Sequence, residues 1–513
     1  MKKIGLALGV LAAWLLVASG TDAVNTVTWT GLGSDPTSWN DAGNWDLGVP
    51  GVNDEALFNT GAVTVYLDAN QTIGSLRRAG ANTGWVGIYG LRPDCETYSL
   101  TLNTGDFTVS GGGRIRLVCP VILGDNEAIW TSSGSDYSGP QDEVNGVTGT
   151  AVPTTVIKLG ANGNFMANTQ GLWSGSSGAY VPWNITGTFD IREGHVYGVY
   201  GTAAKNFNVI LGDPSEVAAT SYTSTLQTGA PLGWVLYPDI TVRAGGGTKT
   251  IGCRYNNKAG TMTYSGNILL NGDLTAYVQD ATVPVDFFLD LTGNMSGAGG
   301  LIKTGNSVAF LKGSNTYQGT TTIQNGILVV DCTTSGQGDY LVGTGGTLAS
   351  GVTIGLASGN KVDVADGATL SPGGMTKAPL ASLIGTMTID GDLLLHSLAN
   401  LAFDIGESTT PGVTYDTIVL QSNLTLDGTL VVTPLIAFDN APRVYTLIDY
   451  GSGKLTDVGL DVTGIPGGIP YSIQAGGGKV QLITGVIPEP GTLLLLGTGA
   501  VGLIGYLRRR RMS

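Results

Sequence analysis

Five times in this chain a short strand signal runs into Asn-Gly or Asp-Gly and out again into a second strand signal. The turns are Asn271-Gly272, Asn325-Gly326, Asp366-Gly367, Asp390-Gly391 and Asp427-Gly428. Three of them are flanked by Ile268-Leu269-Leu270 and Leu274, by Thr321-Thr322-Ile323 and Ile327-Leu328-Val329-Val330, and by Leu424-Thr425-Leu426 and Leu430-Val431-Val432. Asn and Gly accept the positive φ that other residues resist, so the chain changes direction sharply at each. Read alone, such a unit is a β-hairpin. Read as a set, it is a corner in a coil whose strands pair with the coils above and below. The intervals between turns are 54, 41, 24 and 37 residues, which fits a degenerate solenoid and not a strict array.

Composition supports the second reading. Glycine numbers 81 of 513 residues, about twice the usual ~7%. Charged residues make up 12%, against about 25% in an ordinary globular chain. The hydrophobic share of 42% is too high for a disordered polypeptide. Further strand signals appear at Val63 to Leu67, Ser99 to Leu102, Phe107 to Val109 and Ile115 to Val118, each ended by a turn residue. A helical period of useful length occurs only at the two ends. The fold class expected is all-β: a right-handed parallel β-helix (β-solenoid) ectodomain, an N-terminal signal helix and a C-terminal single transmembrane helix. Inward-facing Val, Ile and Leu of one coil find cover only in the next, at a spacing of about 4.8 Å. Coils of ~23 residues would give about 20 coils and a rod on the order of 100 Å long.

The ends address the chain. Lys2-Lys3, the apolar Ile4 to Val17 and small residues up to Ala23 form a secretory signal peptide. Cleavage is expected after Ala23, with Gly20 as the alternative position and an uncleaved anchor as the alternative role. At the other end stand Pro488-Glu489-Pro490, an apolar run from Gly491 to Leu507, and Arg508-Arg509-Arg510-Arg511. That run rises about 25 Å as a helix, the lower limit for a bilayer core of roughly 30 Å. The four arginines resist translocation and hold the terminus on the cytoplasmic side. Between the ends, 19 basic residues face 37 acidic ones, a net charge near −18. So acidic a chain does not bind nucleic acid or anionic membrane non-specifically.

The order Pro-Glu-Pro, short span, arginine cluster resembles the PEP-CTERM sorting signal of bacteria that make exopolysaccharide. The resemblance implies processing near Pro488, Glu489 and Pro490 by an integral-membrane exosortase, after transient insertion of the tail in the inner membrane. The protein then belongs to the cell envelope, cell surface or extracellular (biofilm) matrix, with exopolysaccharide or a neighbouring cell as partner. A plain permanent membrane anchor is the alternative. A second resemblance lies in Gly297-Ala298-Gly299-Gly300-Leu301-Ile302-Lys303-Thr304-Gly305 and Leu311-Lys312-Gly313-Ser314-Asn315-Thr316-Tyr317-Gln318-Gly319. These residues, continuing through Asn325-Gly326, are similar to the autotransporter-associated β-strand repeat, a module of passenger-type parallel β-helices. The C-terminal membrane barrel of true autotransporters has no counterpart in the single apolar span.

The resulting division is a signal peptide (1–23), cap and first coils (24–130), a projecting polar loop (131–153) and a degenerate solenoid (154–292). The repeat region (293–375), strand-rich coils (376–485) and sorting signal (486–513) follow. Trp29, Trp39 and Trp45 read as a cap over the first coil, with a stacking platform for sugar rings as the alternative. Cys95 and Cys119, 24 residues apart, either form a disulfide between coils or sit as buried thiols. With two histidines and no Cys-x-x-Cys, a zinc site is not expected, and no cofactor is implied. His195 and His396 read as half-buried strand residues, because no Gly-x-Ser-x-Gly elbow accompanies them. Gly497, Gly499 and Gly502 fit Gly-x-Gly-x-x-Gly but lie in the apolar tail, outside any strand-turn-helix setting. A polysaccharide lyase or hydrolase is the enzymatic alternative. Its candidate carboxylates, Asp125 with Glu127 and Asp142 with Glu143, have nothing in their spacing that separates them from solvated loop residues. The function expected is structural or adhesive.

Overall fold

The five Asn-Gly and Asp-Gly units all turn from one sheet into a different one, so none of them is a hairpin. Asn325-Gly326 separates Thr321–Ile323 in the longest sheet from Gly326–Val330 in a second. Gly326, Gly367 and Gly428 take φ of 69°, 73° and 91°, the left-handed region that disfavours a β-carbon. Gly272 and Gly391 are needed for another reason. A Cβ on either would stand 2.5 Å from a carbonyl oxygen of the preceding coil, that of Arg243 and of Asn360 respectively.

The computed structural model describes residues 25–485 except 81–83, 91–97, 111–113, 126, 133–141, 146, 150–154, 160–163, 169–186, 199–206, 215–219, 227–233, 256–259, 279–286, 378–379, 407–408 and 436–440. Sixteen parallel strands form the longest sheet, running from Val63–Tyr66 to Leu455–Asp457. Sheets of 11 and 10 strands flank it, the first from Thr26–Thr28 to Met295–Gly297, the second from Trp234–Leu236 to Asp461–Thr463. Neighbours within each of these sheets come from successive coils, which is the topology of a β-solenoid. A parallel sheet of four strands and a mixed sheet of six complete the coils near the two ends. A coil averages about 26 residues and the longest sheet spans about 70 Å at ~4.8 Å per strand. The expected twenty coils are therefore sixteen, because most coils carry longer connections than a minimal turn.

Most buried apolar residues form one continuous core, and Phe288, Val308, Phe310, Val329 and Ala349 form a second, smaller cluster. The columns of the main core can be followed strand by strand: Leu274, Leu301, Thr321, Tyr340, Val362, Leu393 and Leu424 succeed one another in register and are all buried. Polar corners are built in as well. Asn315 is buried, accepts from the Met295 N–H (3.2 Å) and donates to the Lys312 and Gly313 carbonyls (3.0 and 3.2 Å). At the far end Arg443–Asp449, Lys479–Thr484 and Tyr471–Gly476 pair antiparallel, closing the last coil.

Segment 131–153 is not a projecting loop throughout. Asp142–Asn145 pairs with the coils on both sides, and Val147–Gly149 pairs with Val121–Leu123. The polar sequence misled because a parallel ladder is held by main-chain groups, which polar residues supply as well as apolar ones. Residues 133–141, 146 and 150–153 of that segment lie outside the described chain.

Candidate functional site

The tryptophans settle into the cap. Trp29, Trp39 and Trp45 are 1%, 0% and 3% exposed, so a sugar cannot reach their faces and the stacking-platform alternative fails. Trp45 meets Trp29 and Trp39 edge-on at 4.9 Å, and Phe58 of the first coil lies 5.5 Å beneath it. The loop that carries them is tied down by polar residues. Buried Asn44 donates to the Asp35 and Ser38 carbonyls (2.6 and 2.8 Å) and accepts from the Gly33 N–H (2.8 Å). Asp41 accepts from the Asp35 N–H, the Ser34 hydroxyl and the Gly43 N–H, which hold its carboxyl down at about 2. The Trp39 N–H donates to the Tyr66 carbonyl (2.9 Å), docking the cap on the solenoid.

The candidate catalytic residues do not come together. Asp125 and Glu127 are exposed. Asp142 and Glu143 lie in a strand of the longest sheet, with Glu143 in register with Arg116. His195 stands between Asn164 and Ser221 along the same sheet. His396 lies just past the end of strand Asp392–Leu395 and is exposed, not half-buried, since the strand stops before it; its Nε2 is 2.9 Å from Asp363 Oδ1. The histidines are thus separated by about eight coils. Among the described residues no three His, Cys, Asp or Glu side chains gather as a metal site. Cys119 is a free, buried thiol pushed up to about 12 by desolvation, which is the buried-thiol alternative; Cys95 lies outside the described residues.

A site the sequence reading missed lies on the outer face of the first three strands of the longest sheet. Val63–Tyr66, Trp85–Tyr89 and Arg114–Val118 run side by side, with Thr64, Gly87 and Arg116 in one register row and Trp85 beside Arg114. Alternation sends Val65, Ile88 and Leu117 into the core and leaves the intervening residues facing out. The rings of Tyr66 and Tyr89 lie 5.6 Å apart at 38°. Tyr89 leans over Gly87, its Cε2 2.6 Å from where a Cβ would stand. The result is an open groove of about 370 Å³ lined by Thr64, Trp85, Gly87, Tyr89 and Arg116, with Ala62 and Val63 at its edge. The signal was available: Trp85, Gly87 and Tyr89 alternate, as do Arg114 and Arg116.

The fold defines a class, the β-solenoid, and the chain ends in a sorting motif. Residues 486–511 match the family model described as the PEP-CTERM protein-sorting motif. Exosortase is the general processing partner of that motif. The chain is also similar to the adhesin BmaC autotransporter of Brucella suis biovar 1 (strain 1330), 38% identical over 109 residues. That match covers 21% of this chain and 3% of the adhesin. The crystal structure of the Haemophilus influenzae Hap adhesin aligns with 84% of this chain and 63% of its own, at 12% identity and a TM-score of 0.22. Among the described residues no helix is long and apolar enough to cross a membrane; Pro488 to Arg511, like the expected signal peptide and its cleavage position Ala23, lie outside them.

Proposed function

We propose that this protein is a non-enzymatic structural and adhesive rod of the cell surface or extracellular matrix. In this reading an exosortase processes it near Pro488-Glu489-Pro490, while Gly491 to Leu507 holds it briefly in the inner membrane and Arg508 to Arg511 stop its transfer. The observation that carries the reading is the ladder itself. Sixteen strands succeed one another in one sheet, in a chain of net negative charge, and a sorting motif follows. The winding is right-handed, as parallel crossovers almost always are. Likeness to part of a named adhesin supports adhesion, and the expected partner is exopolysaccharide or a neighbouring cell. The test immobilises the mature protein against polysaccharides and cells and assays the same mixtures for new reducing ends or unsaturated products. Retention without product supports the reading; product formation, or no retention on any surface, overturns it. The intact mass of the mature protein decides processing, since an uncleaved anchor keeps the four arginines.

A further inference from the structure

The two ends of the rod are finished differently. Three buried tryptophans close the first coil, whereas the longest sheet ends on a strand, Leu455–Asp457, that is paired on one side only. Leu424 and Leu430 in the coil beneath are fully buried, but Leu455 and Val462, in register with them, are half-buried. The last strand bonds to that coil through the Lys454 carbonyl, which accepts from the Leu424 N–H, and through the Val458 N–H, which donates to the Leu426 carbonyl (both 2.9 Å). Alternation along the strand then turns the N–H and C=O groups of Leu455 and Asp457 toward the open side. Such an edge is a template for another strand.

A second copy of this chain fits that edge in a self-complementary way and continues the coil stacking that builds the rod. With two such strands antiparallel about Thr456, Leu455 of each copy lies opposite Asp457 of the other, and each pair exchanges main-chain hydrogen bonds through the groups left free. The tryptophan cap closes the other end, so end-to-end contact joins tail to tail and stops at two. The obstacle is the side chain at position 457. Fully buried Leu426 is succeeded in register by Asp457, where the equivalent positions of earlier coils hold Ile323, Val342, Val364 and Leu395, all buried. Asp457 thus stands at an inward-facing position of the column, yet it is exposed and has no ion-pair partner among the described residues. In a tail-to-tail pair both carboxylates would be shut into a dry column against Leu455, and desolvating two unpaired charges outweighs the few main-chain bonds gained. We infer that Asp457 is the charge that keeps the open end of the rod from pairing with a second copy. A tail-to-tail interface is built into the last coil and held unused, which leaves free the end from which the chain continues into the sorting motif.

The test is sedimentation velocity of the full mature chain at physiological salt, which screens the net negative charge of the two rods. The parent is expected to sediment as a monomer. Asp457→Leu completes the apolar column and is expected to double the mass, with no species beyond the dimer. Asp457→Ala adds less apolar surface and repeats the comparison should the leucine variant precipitate; a dimer is again expected. Adding Thr456→Lys to either variant sets two lysines opposite each other across the two-fold axis and is expected to return the monomer. Positions 456 and 457 are both exposed, so these changes leave the fold intact, as the thermal midpoint and circular dichroism verify. A dimeric parent, Asp457 variants that stay monomeric, a ladder of longer oligomers, or a dimer indifferent to Thr456→Lys each overturns the inference. The outcome does not depend on the adhesive reading, since a rod that adheres to nothing gives the same sedimentation.

Discussion

Asp416 sets a pH limit on the C-terminal coils. Its side chain is fully buried, and its two oxygens accept from the Gly385 N–H (2.9 Å) and the Asp404 N–H (2.7 Å). Burial outweighs these bonds and, with Asp404 nearby adding repulsion, raises the carboxyl from 3.8 to about 7. A folded-state value above the unfolded one means that the folded protein holds the proton more tightly. The resulting stability is fully present below pH 3.8 and is lost as pH rises toward about 7. At about 1.36 kcal/mol per tenfold change in proton affinity, the loss across that window is ~4 kcal/mol. Self-repulsion of the acidic chain also rises with pH, so the parent alone does not isolate the group. Asp416→Asn does. It keeps one acceptor for two donors, lowers stability by about 1–3 kcal/mol at low pH, and cannot titrate. Urea unfolding of both proteins from pH 4 to 8, followed by tryptophan fluorescence and by hydrogen exchange at the Asp404 and Thr417 amides, gives the difference directly. The gap between parent and variant should shrink with rising pH and change sign near neutral pH, leaving the variant the more stable. Parallel curves would refute the argument.

Other positions yield simpler outcomes. Trp39→Ala opens the cap, with an expected loss of about 3–5 kcal/mol; hydrogen exchange should rise in the first coils and stay low near Val362 to Leu426. Gly299→Ala puts a Cβ 2.1 Å from the Gly272 carbonyl oxygen, and overpacking of this kind costs about 1–3 kcal/mol, visible as a lower thermal midpoint. Arg243→Ala removes two of the hydrogen bonds on buried Asp190, leaving Arg192 at 2.8 Å; the expected cost of about 1–3 kcal/mol should be partly restored by changing Asp190 to Asn in the same chain. Cys119, buried and held at about 12, should resist maleimide at pH 8 until the protein is unfolded, as located by mass spectrometry.

The corners were legible because Asn-Gly and Asp-Gly have few uses besides sharp turns, and a set of five across unrelated spacings made a solenoid the economical answer. The tryptophan cap was legible for a similar reason: an open coil end needs large apolar cover. Lys303 was not. Alternation within Leu301-Ile302-Lys303-Thr304 is ambiguous, and the structure buries the lysine in the column that continues as Ile323, Val342 and Val364. Its ammonium donates to the Thr304, Gly305 and Asn325 carbonyls (3.0, 2.6 and 3.0 Å), acceptors that only a wound coil supplies. The groove was hidden because its members come from three coils, so Thr64, Trp85 and Arg116 become neighbours through register alone. The polar stretch around Asp142 was misread because composition carries no record of main-chain pairing.

A distance across the whole ladder bears most directly on the continuous solenoid. Spin labels placed through cysteine at Thr64 and Thr456, in the first and last strands of the longest sheet, should lie about 70 Å apart by pulsed electron resonance, fifteen steps of ~4.8 Å. A folded globule of this length has a radius of gyration of only about 23 Å. A distribution centred below about 45 Å, twice that radius of gyration, would contradict the stacked coils on which the account depends.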